Sequence, residues 1–421
     1  MMKKMIKHQN NNPNLQQEEE EEEEKRDWSH IPGQFLWGVM NYLPPFDAMR
    51  IPYVCNSWKS IIKPEPNKVI IPWVLCNPSS SISTDRIFID LSTNAISRVK
   101  IPDIVSQGTC ISSKHGWLLL HPNSHPMNII NEVFYSHRVF LHRPSKYEPN
   151  TSIANSKCTL RLFHPVSGTV IDLPEIQEED CSVIVGPAII GAVSELTGKP
   201  ELIIQASYRR QKGIVLRITR AGQSQWEEHR FKHCIGWETT VARVAMHGNT
   251  RVCCFDPKGR MCVFDMEDES WLTFPDLCNS RSGFVVECED EIVKVAPLPP
   301  FVHGNQEWYM FYKLGLNEHG VIGWVEMERV GLENKWWFLD RNGESYCVKG
   351  VGRKVFQLFG HYGMVRNGGG RVRYRIIDNE VRVPLTVVDL AADGVPQELM
   401  PELALKDCNL GWILMDSPVS V

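Results

Sequence analysis

The sequence predicts a mainly β protein with a small N-terminal α module, its β part a propeller of six or seven blades. Three observations predict it. From about Val69 onward, short apolar or alternating runs recur between Gly, Pro, Asn and Asp turns, with no long helical pattern among them. Hairpins of one form return at wide intervals. Tryptophans return at the period of propeller blades.

The runs include Arg86 to Leu91, Gly116 to Leu120, Thr159 to Phe163 and Ile214 to Ile218. The hairpins join Leu160–Phe163 to Thr169–Leu173 through His164–Gly168, and Val252–Phe255 to Arg260–Phe264 through Asp256–Gly259. A third joins Trp336–Phe338 to Glu344–Val348 through Asp340–Gly343. Phe163 to Phe255 is 92 residues and Phe255 to Phe338 is 83, while Trp226, Trp271 and Trp324 stand 45 and 53 apart. Units of about 40–50 residues fit blades. Closing them in a ring protects strand edges that would otherwise template aggregation. Two stacked sandwiches are the alternative architecture.

Residues 1–26 are Asn/Gln-rich and then acidic, too polar to offset the entropy of ordering, and read as a disordered acidic tail. Residues 27–66 change character. Phe35, Leu36, Val39, Met40 and Leu43 form the apolar stripe of a short helix, with Ser29 as its N-cap and Pro32 in its first turn. Pro44-Pro45 stops that helix. Asp47 is placed to cap a second stretch through Met49, Arg50, Val54 and Trp58, which Pro52 must bend or split. About 35 residues cannot hold a private core, so such a module needs a partner. Residues 67–421 are the β domain.

Of the net charge of −5, the run Glu18 to Glu24 alone supplies seven negative charges. The remainder is near neutral, which argues against nucleic acid and anionic membranes as partners. The longest apolar stretch, Val183 to Val193, has 11 residues and contains Pro187, about half of what a spanning helix needs. Met1 to Asn10 is basic without an apolar region behind it. Thirteen cysteines without a C-x-x-C pair read as reduced thiols in the cytoplasm or nucleus, which makes Asn150-Thr151-Ser152 a chance sequon.

The run Ile31-Pro32, Gln34-Phe35-Leu36, Val39, Leu43, Asp47, Arg50, Val54-Cys55, Ser57-Trp58-Lys59 resembles an F-box, in the style of plant F-box proteins. Gln34 stands where that family usually has Glu, Ala48 where it often has Leu, and Pro52 falls inside an expected helix. Further on, His115-Gly116-Trp117-Leu118-Leu119-Leu120, Phe163 to Gly168 with Leu173-Pro174, and Trp324-Val325-Glu326 resemble the propeller-like F-box-associated domain of KIB type. The resemblance implies docking on a Skp-family adaptor, and through it on cullin and RING subunits. The adaptor-binding residues would be Ile31, Pro32, Phe35, Leu36, Val39, Leu43, Val54, Cys55 and Trp58. The propeller would bind a protein substrate, which makes the chain the substrate-recognition subunit of an SCF-type ubiquitin ligase and not an enzyme. The alternatives are a non-catalytic propeller scaffold with a degenerate F-box, and a propeller enzyme acting on sugars or small molecules.

Chemical motifs are few. His229 and His233, beside Cys234, sit in a strand where i and i+4 lie roughly 13 Å apart, too far for one metal. Cys253, Cys254 and Cys262 read as buried thiols of one hairpin. No nucleophile elbow, phosphate loop or zincin motif occurs, and Gly368-Gly369-Gly370 reads as a turn. We therefore expect no metal, no cofactor and no catalytic set. Arg371, Arg373 and Arg375 alternate in a strand near Arg366 and Arg382, a face able to receive an acidic or phosphorylated partner or simply a solvated edge.

Overall fold

The structure, a computed structural model, describes residues 28–62, 72–121 and 157–349 with short gaps in the latter two. It also describes strands at 353–358, 366–367, 370–371, 385–389, 397–398 and 408–413. The acidic tail, the sequon, His233, Cys234, Gly368, Gly369, Arg373, Arg375 and Arg382 lie outside the described residues.

Five sheets make the β domain among the described residues. Sheet I contains β1 (Trp73–Pro78), β2 (Asp85–Asp90) and β3 (Ala95–Lys100), and a short helix of Asp103–Ser106 leads out of it. Sheet II runs β4 (Thr109–Lys114), β5 (Trp117–His121), β7 (Arg161–His164), β8 (Thr169–Asp172), flanked by the small pair β6 (Lys157–Cys158) and β9 (Ile176–Gln177). Sheet III is β10 (Ala188–Val193), β11 (Pro200–Arg209), β12 (Gly213–Arg220) and β13 (Glu227–Phe231). Sheet IV is β14 (Arg243–His247), β15 (Arg251–Phe255), β16 (Met261–Asp265) and β17 (Ser270–Phe274).

Sheet V has nine strands: β18 (Phe284–Cys288), β19 (Glu291–Pro297), β20 (Tyr309–Leu316), β21 (Ile322–Glu326), β22 (Lys335–Asp340), β23 (Ser345–Lys349), β24 (Arg353–Leu358), β27 (Leu385–Asp389) and β28 (Gln397–Glu398). A parallel pairing of Val286 with Ser345 and of Glu287 with Tyr346 joins its two halves. The expected six or seven blades are thus five sheets, because that seam merges everything from β18 to β28 into one. A separate two-stranded ladder pairs β25 (Arg366–Asn367) with β26 (Gly370–Arg371).

The ring closes through β29 (Cys408–Ile413), which pairs antiparallel with β1 from Trp73↔Ile413 to Pro78↔Cys408. It lies against β4 on one side and β22 and β24 on the other. Inside the ring β4 meets β10, β10 meets β14, and β14 meets β18. In sheets III and IV the last strand is the least buried: β12 is buried along nearly all its length, whereas β13 and β17 hold only half-buried and exposed residues. Neighbouring sheets then supply the core. One cluster packs Ile204 and Leu216 of sheet III on Val252 and Phe264 of sheet IV, and another packs Trp117 and Leu119 of sheet II on Ile190 and Ile203 of sheet III.

The three expected hairpins form as β7–β8, β15–β16 and β22–β23. Cys254 stands opposite Cys262, and with Cys253 both are fully buried. Burial, reinforced by the Glu287 carboxylate, pushes the Cys253 thiol up to about 12.

Arg217 is the most deeply buried charged side chain among the described residues. Its Nε donates to Glu228 Oε1 at 2.8 Å and its Nη1 to Gln205 Oε1 at 2.8 Å. Burial alone would raise the Glu228 carboxyl, but hydrogen bonds from Arg230 and Arg217 outweigh it and hold the group below its ordinary value.

Two stability outcomes follow from these buried groups. Arg217→Ala orphans the buried Gln205 acceptor, while the more exposed Glu228 keeps Arg230, and is expected to cost about 1–3 kcal/mol in urea unfolding. Because the folded Cys253 thiol ionises after the unfolded one, its contribution is complete below pH 9 and is lost as pH climbs from there through about 12. Between pH 8 and pH 10 the urea midpoint should therefore change differently in the wild type and in Cys253→Ala, the unfolded wild-type thiol ionising where the variant has none.

Candidate functional site

The helical module is built from α1 (Gly33–Met40), α2 (Pro45–Arg50) and α3 (Asn56–Ile61), with one-turn 3-10 segments at Trp28–His30 and Ile51–Tyr53. Pro52 sits in the second of those segments and splits the second helical stretch, as its ring and missing N–H require. The capping differs from expectation. Pro32 occupies the N-cap of α1, and Ser29 bonds its neighbour His30 instead. Pro44 is the N-cap of α2, which puts Asp47 in the first turn, paired with Arg50 at 3.1 Å. The two prolines, with φ of −57° and −52°, pre-set the chain direction at the start of each helix, and neither start has a side-chain cap. The cap of α3 is Cys55, whose Sγ accepts from Trp58 N at 3.5 Å.

The apolar stripe of α1 is in fact two stripes. Leu36 and Met40 point inward, and Met40 joins Ala48, Ile62, Leu43 and Ile51 in a small cluster of the module's own. Ala48 fits there because the cluster is tight. Phe35, Val39 and Tyr42 point the other way and are 69%, 49% and 91% exposed. The i, i+4 spacing puts Phe35 and Val39 on one face of α1, and Tyr42 lies in the turn that follows the helix.

A second interior surface fastens the module to the propeller. Phe46 and Met49 of α2 enter the core between sheets I and II with Trp73, Phe88, Leu118 and Phe163. The Phe46 ring stands 5.2 Å from that of Phe88 and 6.1 Å from that of Trp73. His164, at the end of β7, completes the attachment. Its Nδ1 accepts from Ser167 N at 3.2 Å, which leaves Nε2 as the ring's N–H, 3.3 Å from the Tyr53 hydroxyl. The two-residue turn His115–Gly116, both at positive φ, passes close by, since a side chain on Gly116 would meet His164 Nε2 at 3.0 Å.

Of the nine residues expected to bind an adaptor, Phe35, Val39 and Val54 are exposed apolar groups, and Pro32 is exposed beside them. Ile31, Cys55 and Trp58 are half-buried, and Trp58 Nε1 donates to the Trp28 carbonyl at 2.8 Å. Leu36 is interior, and Leu43 packs on Met40 and Ala48. Sequence reasoning missed Tyr42 and Trp28, the latter 62% exposed.

At the ring's centre lies a cavity of about 220 Å³ lined by β4, β10, β14, β18 and β23. Lys114 Nζ donates to the Gly191 carbonyl at 2.9 Å and stands 3.7 Å from Glu287 Oε2. The other oxygen of Glu287 accepts from Met246 N at 2.7 Å. Tyr346 donates to the Ser113 carbonyl at 3.0 Å, and its hydroxyl lies 2.8 Å from Ser113 Oγ. These bridges tie inner strands of sheets II, III, IV and V across the channel. Among the described residues no group of three or more His, Cys, Asp and Glu is placed to hold a metal. Likewise no described helix is long and apolar enough to cross a membrane. Of the arginine face only Arg366 and Arg371 are described, as partners in the short β25–β26 ladder.

A family model for the KIB1-4 beta-propeller matches residues 88–353, more than half of the chain. The chain belongs to that family. The match spans β2 to the first residue of β24, so the KIB1-4 propeller covers sheets II–IV, and the helical module lies before it. No curated protein matches the chain.

The two stripes of α1 separate in a mutational test. Leu36→Ala should lower stability by about 2–5 kcal/mol, as core truncations do. Phe35→Ala should stay within about 0.5 kcal/mol, as surface changes do. Urea melts of the two variants read the difference directly.

Proposed function

We propose that this KIB1-4 propeller protein is the substrate-recognition subunit of an SCF-type ubiquitin ligase. The helical module docks on a Skp-family adaptor, and through it on cullin and RING subunits, and the propeller holds a target protein. The observation that carries this reading is the outward face of Phe35, Val39, Tyr42 and Val54 on a module whose other face is already seated in the propeller. Large apolar side chains left exposed together on one small module mark an interaction site. The module's sequence resembles an F-box at the same residues.

In this role the protein does no chemistry. It raises the effective concentration of target lysines near a charged conjugating enzyme, and a firmly seated module serves that end because a fixed span wastes less of it than a flexible one. The propeller alone supports the broader role of a protein-interaction scaffold.

The deciding measurement is capture of a purified Skp-family adaptor by the full chain. Wild type should bind, and Phe35→Asp combined with Val39→Asp should abolish capture while leaving the fold intact. Trp58→Ala should weaken it by about 2 kcal/mol or more, roughly 30-fold, as truncation of an aromatic anchor does. Absence of capture by the wild type would leave the scaffold role in its place.

A further inference from the structure

Cys288 ends β18 and Cys347 lies in β23, 59 residues apart in sequence. The parallel register pairs Val286 with Ser345 and Glu287 with Tyr346, so the next step along both strands puts Cys288 beside Cys347. Their sulfurs stand 3.0 Å apart. Neighbouring strands run about 4.8 Å apart, which falls within the Cα separations of about 4.4–6.8 Å that a disulfide accepts.

The remaining cysteines of the inner hairpin offer a contrast. Cys253, Cys254 and Cys262 are sealed in the core; Cys288 is buried too, at 2% exposed, but its partner Cys347 is half-buried and lines the cavity, so a small oxidant reaches the pair from the Cys347 side.

We propose that Cys288 and Cys347 form a reversible dithiol–disulfide site, opened to small oxidants by the channel, whose oxidation staples the two halves of sheet V. That seam has only two paired residues on each strand, so a covalent bond there adds a third tie between the two halves of the sheet.

The local charges divide the labour between the two sulfurs. The Cys347 thiol, hydrogen-bonded to Cys288, lowers the Cys288 pKa, and the Lys335 ammonium adds to the effect. The same hydrogen bond, together with burial, raises Cys347. Burial of Cys288 opposes its ionisation, and Glu289 does so more weakly, being itself near Lys335 at 3.8 Å and Lys349 at 3.6 Å.

With a peroxide as oxidant, the Cys288 thiolate attacks one peroxide oxygen. The O–O bond breaks, Cys288 becomes a sulfenic acid, and the hydroxide released takes up the proton that Cys288 had shed. The Cys347 sulfur then attacks the Cys288 sulfur. The S–S bond forms, the S–O bond breaks, and the departing hydroxide leaves as water with the Cys347 proton. Two thiols lose two electrons, and one hydrogen peroxide becomes two waters.

The test uses the reduced full chain, treated with hydrogen peroxide, quenched with N-ethylmaleimide, digested and mapped by mass spectrometry. A linked Cys288–Cys347 peptide should appear, both sites should lose maleimide labelling before Cys253 does, and dithiothreitol should reverse the link. In Cys347→Ser, dimedone should trap a sulfenic acid at Cys288, and in Cys288→Ser none should be trapped at Cys347. Recovery of both residues as maleimide adducts from the folded wild type, or a link formed only in denatured chain, would overturn the proposal. Because the wild-type map decides it, a variant that fails to fold leaves the result intact.

Discussion

The structure rests on one set of backbone hydrogen bonds, those between β1 and β29. Four-stranded sheets radiating from a channel each bury their faces on their neighbours, so the arrangement is stable only if the first and last sheets also meet. Here the meeting is made inside sheet I, whose innermost strand comes from Cys408–Ile413 and whose other three come from residues 73–100. Six paired positions join parts of the chain that are far apart in sequence, and β29 then abuts β4 and β24 as an inner strand should. The platform under the helical module includes Trp73 and Leu75 of β1, the strand that β29 closes upon.

The platform matters because the module is not self-sufficient. Its own cluster is a handful of residues around Met40, Ala48 and Ile62. What fixes its orientation is Phe46 on Phe88 and Trp73, with Tyr53 on His164 as a second point. The module is therefore wedged between sheets I and II by one aromatic side chain and pinned by a hydrogen bond, with Phe35, Val39 and Tyr42 left facing outward.

Much of this was legible locally. Alternation and turn residues placed β2, β5, β12 and the three hairpins within a residue or two, because a strand's burial pattern is written in its own side chains. The tryptophan spacing was informative for a real reason: Trp271 and Trp324 lie in the outermost strand of their sheets, and Trp226 immediately precedes one. The hairpin spacing was not. β7–β8 are the third and fourth strands of sheet II, while β15–β16 are the second and third of sheet IV, so their interval does not measure a repeat. The blade count failed at β18–β23, a parallel pairing of non-adjacent strands that no local period encodes. The closeness of Cys288 to Cys347 was hidden for the same reason. In α1 a single broad apolar stripe was read where two faces exist, since adjacent apolar residues such as Phe35 and Leu36 diverge by about 100° around a helix.

Closure by β29 also has a consequence for biosynthesis. Sheet I is begun by residues near 73 and finished by residues after 408, so during translation β1 waits with an unpaired edge while all the intervening sheets emerge. A chain halted anywhere short of Cys408 keeps that edge open, and an open edge is a template for other strands and for the machinery that clears incomplete proteins. The platform that seats Phe46 is part of the same sheet. That sheet has its full set of strands only once residues 408–413 have joined it.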